Sequence, residues 1–142
     1  MTDLHCHILP AIDDGAKNAK VSMELLRMQN DAGITDIVCT PHFNPDSQNL
    51  EDFIDKRYRS ARYLADYVFR SELPVRLKFG AEVRISPTIL DLDFLPLCFQ
   101  KTKVMLLEMP RTLRPQWDTN VIYQLTLGGV IPLIAHIERY PY

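Results

Sequence analysis

The sequence predicts an α/β fold in which parallel strands are joined by crossover helices. Short runs rich in β-branched residues alternate with longer amphipathic segments of helical periodicity. The run Val104 to Met109 is almost wholly apolar, which is typical of a parallel strand covered on both faces. We expect a single domain over residues 1–142, because no linker, repeat or low-complexity tract divides the chain.

The first half of the chain predicts two strand–helix pairs. A first strand is expected over Asp3 to Ile8, and a second over Ile34 to Thr40, where Pro41 should stop it. The helix between them should end at Gly33. Its apolar face consists of Val21, Leu25, Met28 and Ala32. A second helix is expected from about Leu50 to Arg70. Its apolar stripe consists of Phe53, Ile54, Tyr58, Ala61, Leu64, Ala65 and Val68.

The second half predicts three more strands and one longer helix. The strands are expected at Val75 to Val83, Val104 to Met109 and Val130 to Ala135. Ser86 followed by Pro87 is typical of a helix N-cap and first turn. A helix from about Gln116 to Leu127 should end at the two glycines that follow it.

Composition narrows the kind of ligand. The chain has 142 residues, 46% of them hydrophobic, and a formal net charge of −2, which offers no strongly basic surface for nucleic acid or anionic lipid.

No run approaches the roughly 18–20 apolar residues of a membrane span, and no signal peptide is recognisable. Cys6, Cys39 and Cys98 are odd in number and widely spaced, as is typical of reduced thiols. We expect a cytoplasmic protein without membrane insertion.

Side chains that can bind a metal lie in or just after the predicted strands. They are His5, His7, His42, Glu82, Glu108 and His136. The C-terminal ends of parallel strands form one rim, so these groups should meet there. Glu82 and Glu108 each interrupt an apolar run that contains no Lys or Arg. A carboxylate buried in such surroundings costs several kcal/mol unless it is paired or metal-bound.

The donor types favour a borderline-to-hard divalent cation. His5 and His7 lie two apart on a strand and face the same side, and Asp14 adds an oxygen donor in the next loop. Imidazole with carboxylate suits manganese, zinc or iron. Cys6 alternates to the other face and is interpreted as a small buried hydrophobic residue.

The motifs also carry a family resemblance. The segments DLHCHILPAIDDGA, CTPHF, GAEVRISP, LLEMP and IAHIERY resemble the successive motifs of the PHP superfamily. Their order and spacing are similar to its manganese-dependent protein-tyrosine phosphatases of bacterial capsule and exopolysaccharide synthesis. The resemblance covers the whole chain. It implies a distorted (β/α)7 barrel with up to three divalent metals, usually Mn²⁺, at the C-terminal rim.

The resemblance also implies roles for particular residues. The metal ligands would be His5 and His7 for a first metal, Glu108 and His136 for a second, and Asp14 and His42 for a third. Glu82 would bridge the first and second metals, and Arg139 would be the catalytic, phosphate-binding arginine. The implied reaction is hydrolysis of phosphotyrosine on a protein, the tyrosine-rich tail of a bacterial tyrosine kinase, with no protein nucleophile.

Two departures from the family pattern qualify these expectations. The family's Asp-x-His ligand motif and a further arginine belong to a C-terminal part that is not in this chain, so we expect a truncated PHP-like domain of about five β/α units. Its open barrel edge would be covered by an oligomer or a partner. Ile137 stands where the family usually has proline, which could loosen the placement of Arg139.

The sequence is also compatible with two alternative functions. The chain could hydrolyse another phosphomonoester, or it could be a non-catalytic metal-binding or interaction module. The second predicted helix also carries aromatic and basic residues that are compatible with an RNA or acidic-peptide surface, although a core stripe with a solvated basic face is the commoner origin of such a pattern. These residues are Phe53, Lys56, Arg57, Tyr58, Arg59, Arg62, Tyr63, Tyr67 and Phe69.

Overall fold

The structure is a computed structural model that describes all residues from 1 to 142. Its strands are β1 (Thr2–Cys6), β2 (Asp36–Cys39), β3 (His42–Phe43), β4 (Arg76–Phe79), β5 (Glu82–Arg84), β6 (Val104–Glu108) and β7 (Ile131–Ile134). Its α-helices are α1 (Ala19–Asp31), α2 (Leu50–Ser71) and α3 (Asp118–Leu127). Short 3-10 helices span Pro87–Asp91, Leu95–Leu97 and Ile137–Arg139. No helix has both the length and the apolar character needed to cross a membrane.

All strands are parallel, which confirms the predicted α/β class. They form one sheet in the order β1-β2-β4 and another in the order β3-β5-β6-β7. Backbone hydrogen bonds continue the pairing across the short breaks between β2 and β3 and between β4 and β5, because Gly80 N donates to Cys39 O at 3.0 Å and Glu82 N donates to Pro41 O at 3.0 Å. β1 pairs only with β2, and β7 pairs only with β6, so the strands do not close into a barrel.

Two of the five predicted strands are followed or interrupted by a short break, beyond which the chain enters the second sheet. The second predicted strand ends at Cys39, just before Thr40 and Pro41, which confirms that it stops at this proline; the next strand, β3, begins at His42 and belongs to the other sheet. Proline lacks an N–H, but its carbonyl still accepts from Glu82 N, and the pairing resumes at His42. The third run is broken in the same way at Gly80 and Ala81. These breaks carry His42 and Glu82 into the second sheet.

The apolar face predicted for α1 is also wrong. Its buried side chains include Ala19, Met23 and Leu26, whereas Leu25 and Met28 are 36% and 67% exposed. Both exposed side chains lie beside β1, whose outer edge pairs with no strand. Gly33 has φ +81° directly after the helix, as its predicted role in ending the helix requires.

The connection from β5 to β6 contains no α-helix. It is built from the 3-10 helices Pro87–Asp91 and Leu95–Leu97. The first begins as predicted, because the Ser86 hydroxyl accepts a hydrogen bond from Thr88 N at 3.2 Å. Two hydrophobic clusters form most of the core, one under α3 and the β5–β6 connection and one between α1, α2 and β2.

Candidate metal centre

The predicted ligands converge at one rim, where β1, β2, β4, β6 and β7 end and the short strands β3 and β5 begin. His5 lies in β1, His42 opens β3, Glu82 opens β5, and Glu108 ends β6. His7 follows β1, and His136 follows β7. Together with Asp14, Gly15, Arg111 and Arg139, most of these residues line a cavity of about 450 Å³ that has no hydrophobic residue in its wall.

Glu82 is the centre of this cluster. Its carboxylate is 1% exposed, and His5 Nε2 and His7 Nε2 each lie 2.9 Å from Oε2. His42 Nδ1 lies 3.3 Å from the same oxygen, and His136 Nε2 lies 2.9 Å from Oε1. No lysine or arginine pairs with this carboxylate. Burial raises the pKa of Glu82, but the surrounding histidines outweigh burial and hold that pKa well below its usual range.

Three groups of side chains have ligand atoms close enough to share a cation. The groups are His5 with His7 and Glu82, His7 with Asp14 and His42, and His42 with Glu82 and Glu108. Within each group all ligand atoms lie within 4.8 Å of one another. His136 also approaches Glu108, with Nε2 3.8 Å from Oε1. The structure therefore brings all seven predicted ligands together.

The distances fit a divalent cation. Two donors bound at right angles, each about 2.1 Å from one ion, lie about 3.0 Å apart. His5 Nε2 and His7 Nε2 are separated by 3.1 Å, and each lies 2.9 Å from Glu82 Oε2. These three atoms have the spacing of three ligands on one face of an octahedron.

His136 is held in a strained backbone conformation. Its φ of +31° lies in the left-handed region, which costs a non-glycine residue free energy. The ring is 9% exposed, and its Nδ1 atom is buried without a hydrogen-bond partner. Such a cost is typical of functional sites, where the neighbouring structure enforces the geometry.

Sequence reasoning missed Asp13, which supports two of the predicted ligands. Its Oδ2 atom accepts hydrogen bonds from His7 Nδ1 at 2.8 Å and from His42 N at 3.1 Å. Its Oδ1 atom accepts from Gly15 N at 3.0 Å. Burial lowers the pKa of His7, but the hydrogen bonds to Asp13 and Glu82 outweigh burial and raise this pKa to about 10. The sequence analysis named Asp14 as the ligand, but nothing in the sequence indicated that the neighbouring aspartate, Asp13, orients His7.

Two arginines stand at the rim of the cavity. Arg139 is 58% exposed, and its nearest acidic contact is Glu138 at 3.6 Å, so its guanidinium is largely free to bind an anion. Arg111 was not recognised from the sequence. Its Nη2 atom lies 3.6 Å from Glu108 Oε1. The only feature of the sequence that could have indicated its place at the site is its position three residues after the predicted ligand Glu108.

The cysteines take no part in the cluster. Burial raises the pKa of the Cys6 thiol to about 12, and Asp3 adds to the effect. Gln29 Nε2 lies 3.4 Å from its sulfur, on the side of the sheet that faces α1. Cys39 and Cys98 are buried and unpaired. The donor set is therefore imidazole and carboxylate only.

The fold and the cluster define an α/β protein with the donor set of a multinuclear metal site. A family model described as "Capsular polysaccharide synthesis, CpsB/CapC" matches residues 1–142. The chain belongs to this CpsB/CapC family.

Several tyrosine-protein phosphatases, one of them putative, match almost the whole chain. The tyrosine-protein phosphatase YwqE of Bacillus subtilis is 35% identical, with 98% of this chain and 55% of the relative covered. The putative tyrosine-protein phosphatase CapC of Staphylococcus aureus is 30% identical, with 98% and 54% covered. The tyrosine-protein phosphatase CpsB of Streptococcus agalactiae is 27% identical, with 99% and 58% covered.

A solved structure supports the fold. It belongs to a study of YwqE from Bacillus subtilis and CpsB from Streptococcus pneumoniae, described as unique metal-dependent tyrosine phosphatases. It superposes with a TM-score of 0.86 at 35% identity, over 99% of this chain and 57% of that chain. This chain therefore spans just over half the length of the relatives that it matches.

Proposed function

We propose that this chain carries the metal-binding part of a protein-tyrosine phosphatase that acts in capsular and exopolysaccharide synthesis. Its substrate is phosphotyrosine on a protein, in the tail of a bacterial tyrosine kinase. The relatives named as tyrosine phosphatases and the family's role in capsule synthesis support this assignment. We further propose that the protein works in the cytoplasm, where such a kinase tail would be found.

The main structural support for metal binding is the environment of the Glu82 carboxylate. Four imidazoles surround one buried carboxylate at 2.9–3.3 Å, and no fixed positive charge neutralises it. In our assignment, His5, His7 and Glu82 bind one metal, and Glu82, Glu108 and His136 bind a second. Asp14 and His42 contribute to a third. Bound divalent cations would supply Lewis acidity toward phosphoryl oxygens and would activate water at neutral pH.

The remaining residues bind and orient the phosphoryl group. The Arg139 guanidinium can donate two parallel hydrogen bonds to phosphoryl oxygens, and it keeps its charge at any physiological pH. Its catalytic contribution is to stabilise charge that develops on those oxygens. Phenolate is a better leaving group than an alkoxide, since the phenol pKa is about 10. This difference favours phosphotyrosine over alkyl phosphates.

Manganese is the metal we propose to be most effective, with iron and zinc as the other candidates. Mixed imidazole and carboxylate donors suit all three, whereas copper(I) would need thiolates. We also propose that further polypeptide covers the free edge of β1, either more of the family's length or a second chain. The exposed side chains of Leu4 and Met28 beside that edge support this idea.

The test is phosphatase activity after metal removal. The purified chain is stripped with a chelator, and phosphate release from a phosphotyrosine peptide is measured with and without added Mn²⁺. Arg139→Lys and Arg139→Ala are measured in parallel, with the exposed Arg59→Ala as the matched control. We expect turnover that requires Mn²⁺, survives the control substitution, and falls by about 10²-fold or more in Arg139→Ala.

The outcomes separate the alternatives. Faster turnover of alkyl phosphates than of the phosphotyrosine peptide would point to another phosphomonoester as the substrate. Metal binding without turnover of any phosphate ester would identify the chain as a metal-binding module that does not hydrolyse phosphate by itself. Absence of metal binding would refute the site assignment.

A further inference from the structure

A second cavity lies on the outer wall of the protein, away from the metal centre. It is a groove of about 490 Å³ between α2 and the segment 95–102, and none of its residues lines the metal-binding cavity. Its apolar wall includes Ile54, Tyr58, Ala65, Phe79, Leu95 and Phe99. The groove is therefore a separate concave surface with an apolar lining.

The groove is open because the neighbouring crossover is short. α1 packs against α2 on one side, but the β5–β6 connection on the other side consists only of 3-10 helices. The apolar stripe of α2 therefore lacks a helical neighbour there. Tyr58, which belongs to the stripe predicted to be buried, is 60% exposed, and Leu95 across the groove is 54% exposed. Such exposure of a patterned apolar face indicates a binding surface.

The charges of the groove all have one sign. Arg57, Arg62 and Lys101 line it, and no Asp or Glu does. None of the three forms an ion pair with a carboxylate, whereas Arg59 on the outer face of the same helix pairs with Asp55 at 3.3 Å. A groove with several unneutralised cations attracts an anionic partner.

Arg57 fixes one of these charges in place. Its Nη1 atom donates to Gly80 O at 2.7 Å, and its Nη2 atom donates to Pro96 O at 2.8 Å. Its guanidinium also lies 5.4 Å from the centre of the Phe53 ring. These neutral partners hold the side chain without cancelling its charge. Burial lowers the pKa of Arg57, which is the expected effect of desolvation without a counter-ion.

The shape and the surrounding charges favour a peptide over a membrane or RNA. A concave groove encloses a side chain, whereas a lipid surface or a duplex needs cations that project from a flat or convex face. Outside the groove, the exposed acidic residues of α2 (Glu51, Asp52, Asp55 and Asp66) nearly balance its exposed basic residues (Lys56, Arg59 and Arg70), so this side offers no extended cationic surface to either polyanion. The positive charge is therefore local to the groove.

We propose that this groove docks an acidic peptide segment of a partner protein, with an apolar side chain of that segment between Tyr58 and Leu95. The carboxylates of the segment pair with Arg62 and Lys101 at the rim. Arg57 contributes positive potential from the wall of the groove. The site is separate from the metal centre and does not require the proposed phosphatase activity.

The test uses a short fluorescein-labelled peptide in which glutamate alternates with leucine and phenylalanine. Binding is followed by fluorescence anisotropy, beside a peptide of the same pattern with glutamine in place of glutamate. The variants are Arg62→Glu with Lys101→Glu, and Tyr58→Ser. The matched control is Lys20→Glu, an exposed charge reversal in α1 outside the groove. Circular dichroism spectra verify that each variant is folded.

We expect saturable binding of the glutamate peptide, at least about tenfold weaker binding of the glutamine peptide, and a similar loss in the double variant. The Lys20→Glu control should bind as the unmodified chain does. Equal binding of both peptides, or undiminished binding by the double variant, would overturn the proposal. So would the finding that anionic phosphatidylserine vesicles bind through Arg62 and Lys101 while the peptide does not bind.

Discussion

One carboxylate, that of Asp13, links His7 to the backbone of His42. His7 Nδ1 donates to Asp13 Oδ2 at 2.8 Å, and His42 N donates to the same oxygen at 3.1 Å. Since a carboxylate only accepts hydrogen bonds, the proton of a neutral His7 ring lies on Nδ1. Loss of the second ring proton, from Nε2, would leave a lone pair directed toward His5 and Glu82, where a metal could take the place of that proton. Asp13 thus prepares His7 for metal binding and joins the loop after β1 to β3.

Replacing Asp13 by asparagine should weaken metal binding by about 10–100-fold. An amide keeps only one acceptor oxygen, so at least one of the three donors that bind Asp13 loses its partner. Mn²⁺ affinity of the metal-free chain is measured by titration calorimetry, with the exposed Asp31→Asn as the control. Unchanged affinity in Asp13→Asn would show that His7 is oriented without this hydrogen bond.

The approximate positions of the strands and of the metal ligands could be predicted from the sequence. Glu82 and Glu108 interrupt apolar runs, and burial of an unpaired carboxylate is so unfavourable that a cation was the simplest explanation. Parallel topology then dictated that these residues meet at one rim. The cluster around Glu82 has this arrangement, although which ligand belongs to which metal stays a prediction.

Other features depended on tertiary structure. The periodicity of α1 allowed two apolar faces, and only packing decides that Met23 and Leu26 point inward while Met28 lies beside the free edge of β1. The role of Asp13 could not be predicted, because its hydrogen bonds to His7 and to the backbone of His42 exist only in the folded chain. The short strand β3 just beyond Pro41 depended on pairing with β5, which a local pattern does not contain.

Glu82→Gln should remove metal from the sites that share this carboxylate. The amide is nearly isosteric, but it carries no charge and cannot bridge two cations. In the unmodified chain, Mn²⁺ at about one hundred times its dissociation constant should raise the free energy of unfolding by about 2.7 kcal/mol. The variant should lose most of this gain.

Thermal unfolding with and without Mn²⁺ measures the difference, and elemental analysis gives the number of metals per chain. The exposed Glu24→Gln in α1 is the matched control. If Glu82→Gln kept the full metal content and the full thermal shift, Glu82 would not be a shared ligand.

Gly15→Ala should disturb the loop that connects Asp13 to His7. A Cβ atom at position 15 would overlap the carbonyl oxygen and the Cβ atom of His7, and both are too close to be avoided by a small rotation. We expect a loss of about 1–3 kcal/mol in the free energy of unfolding, as is usual for overpacking. Urea denaturation measures this loss, with the exposed Lys17→Ala as the control. Equal stability of the two variants would mean that the loop can move away from His7.

The thiols should resist alkylation in the folded chain. Burial, followed by the charge of Asp3, raises the pKa of Cys6 to about 12, and burial raises the pKa of Cys39 and Cys98 as well. At pH 8 a thiol of pKa about 12 is ionised in only about one molecule in 10⁴, and thiolate is the reactive form. Mass spectrometry after iodoacetamide treatment should therefore show little labelling at pH 8, and complete labelling in urea. Rapid labelling of native Cys6 would instead show a thiolate close to His5 and His7, and sulfur would then have to be considered among the metal ligands.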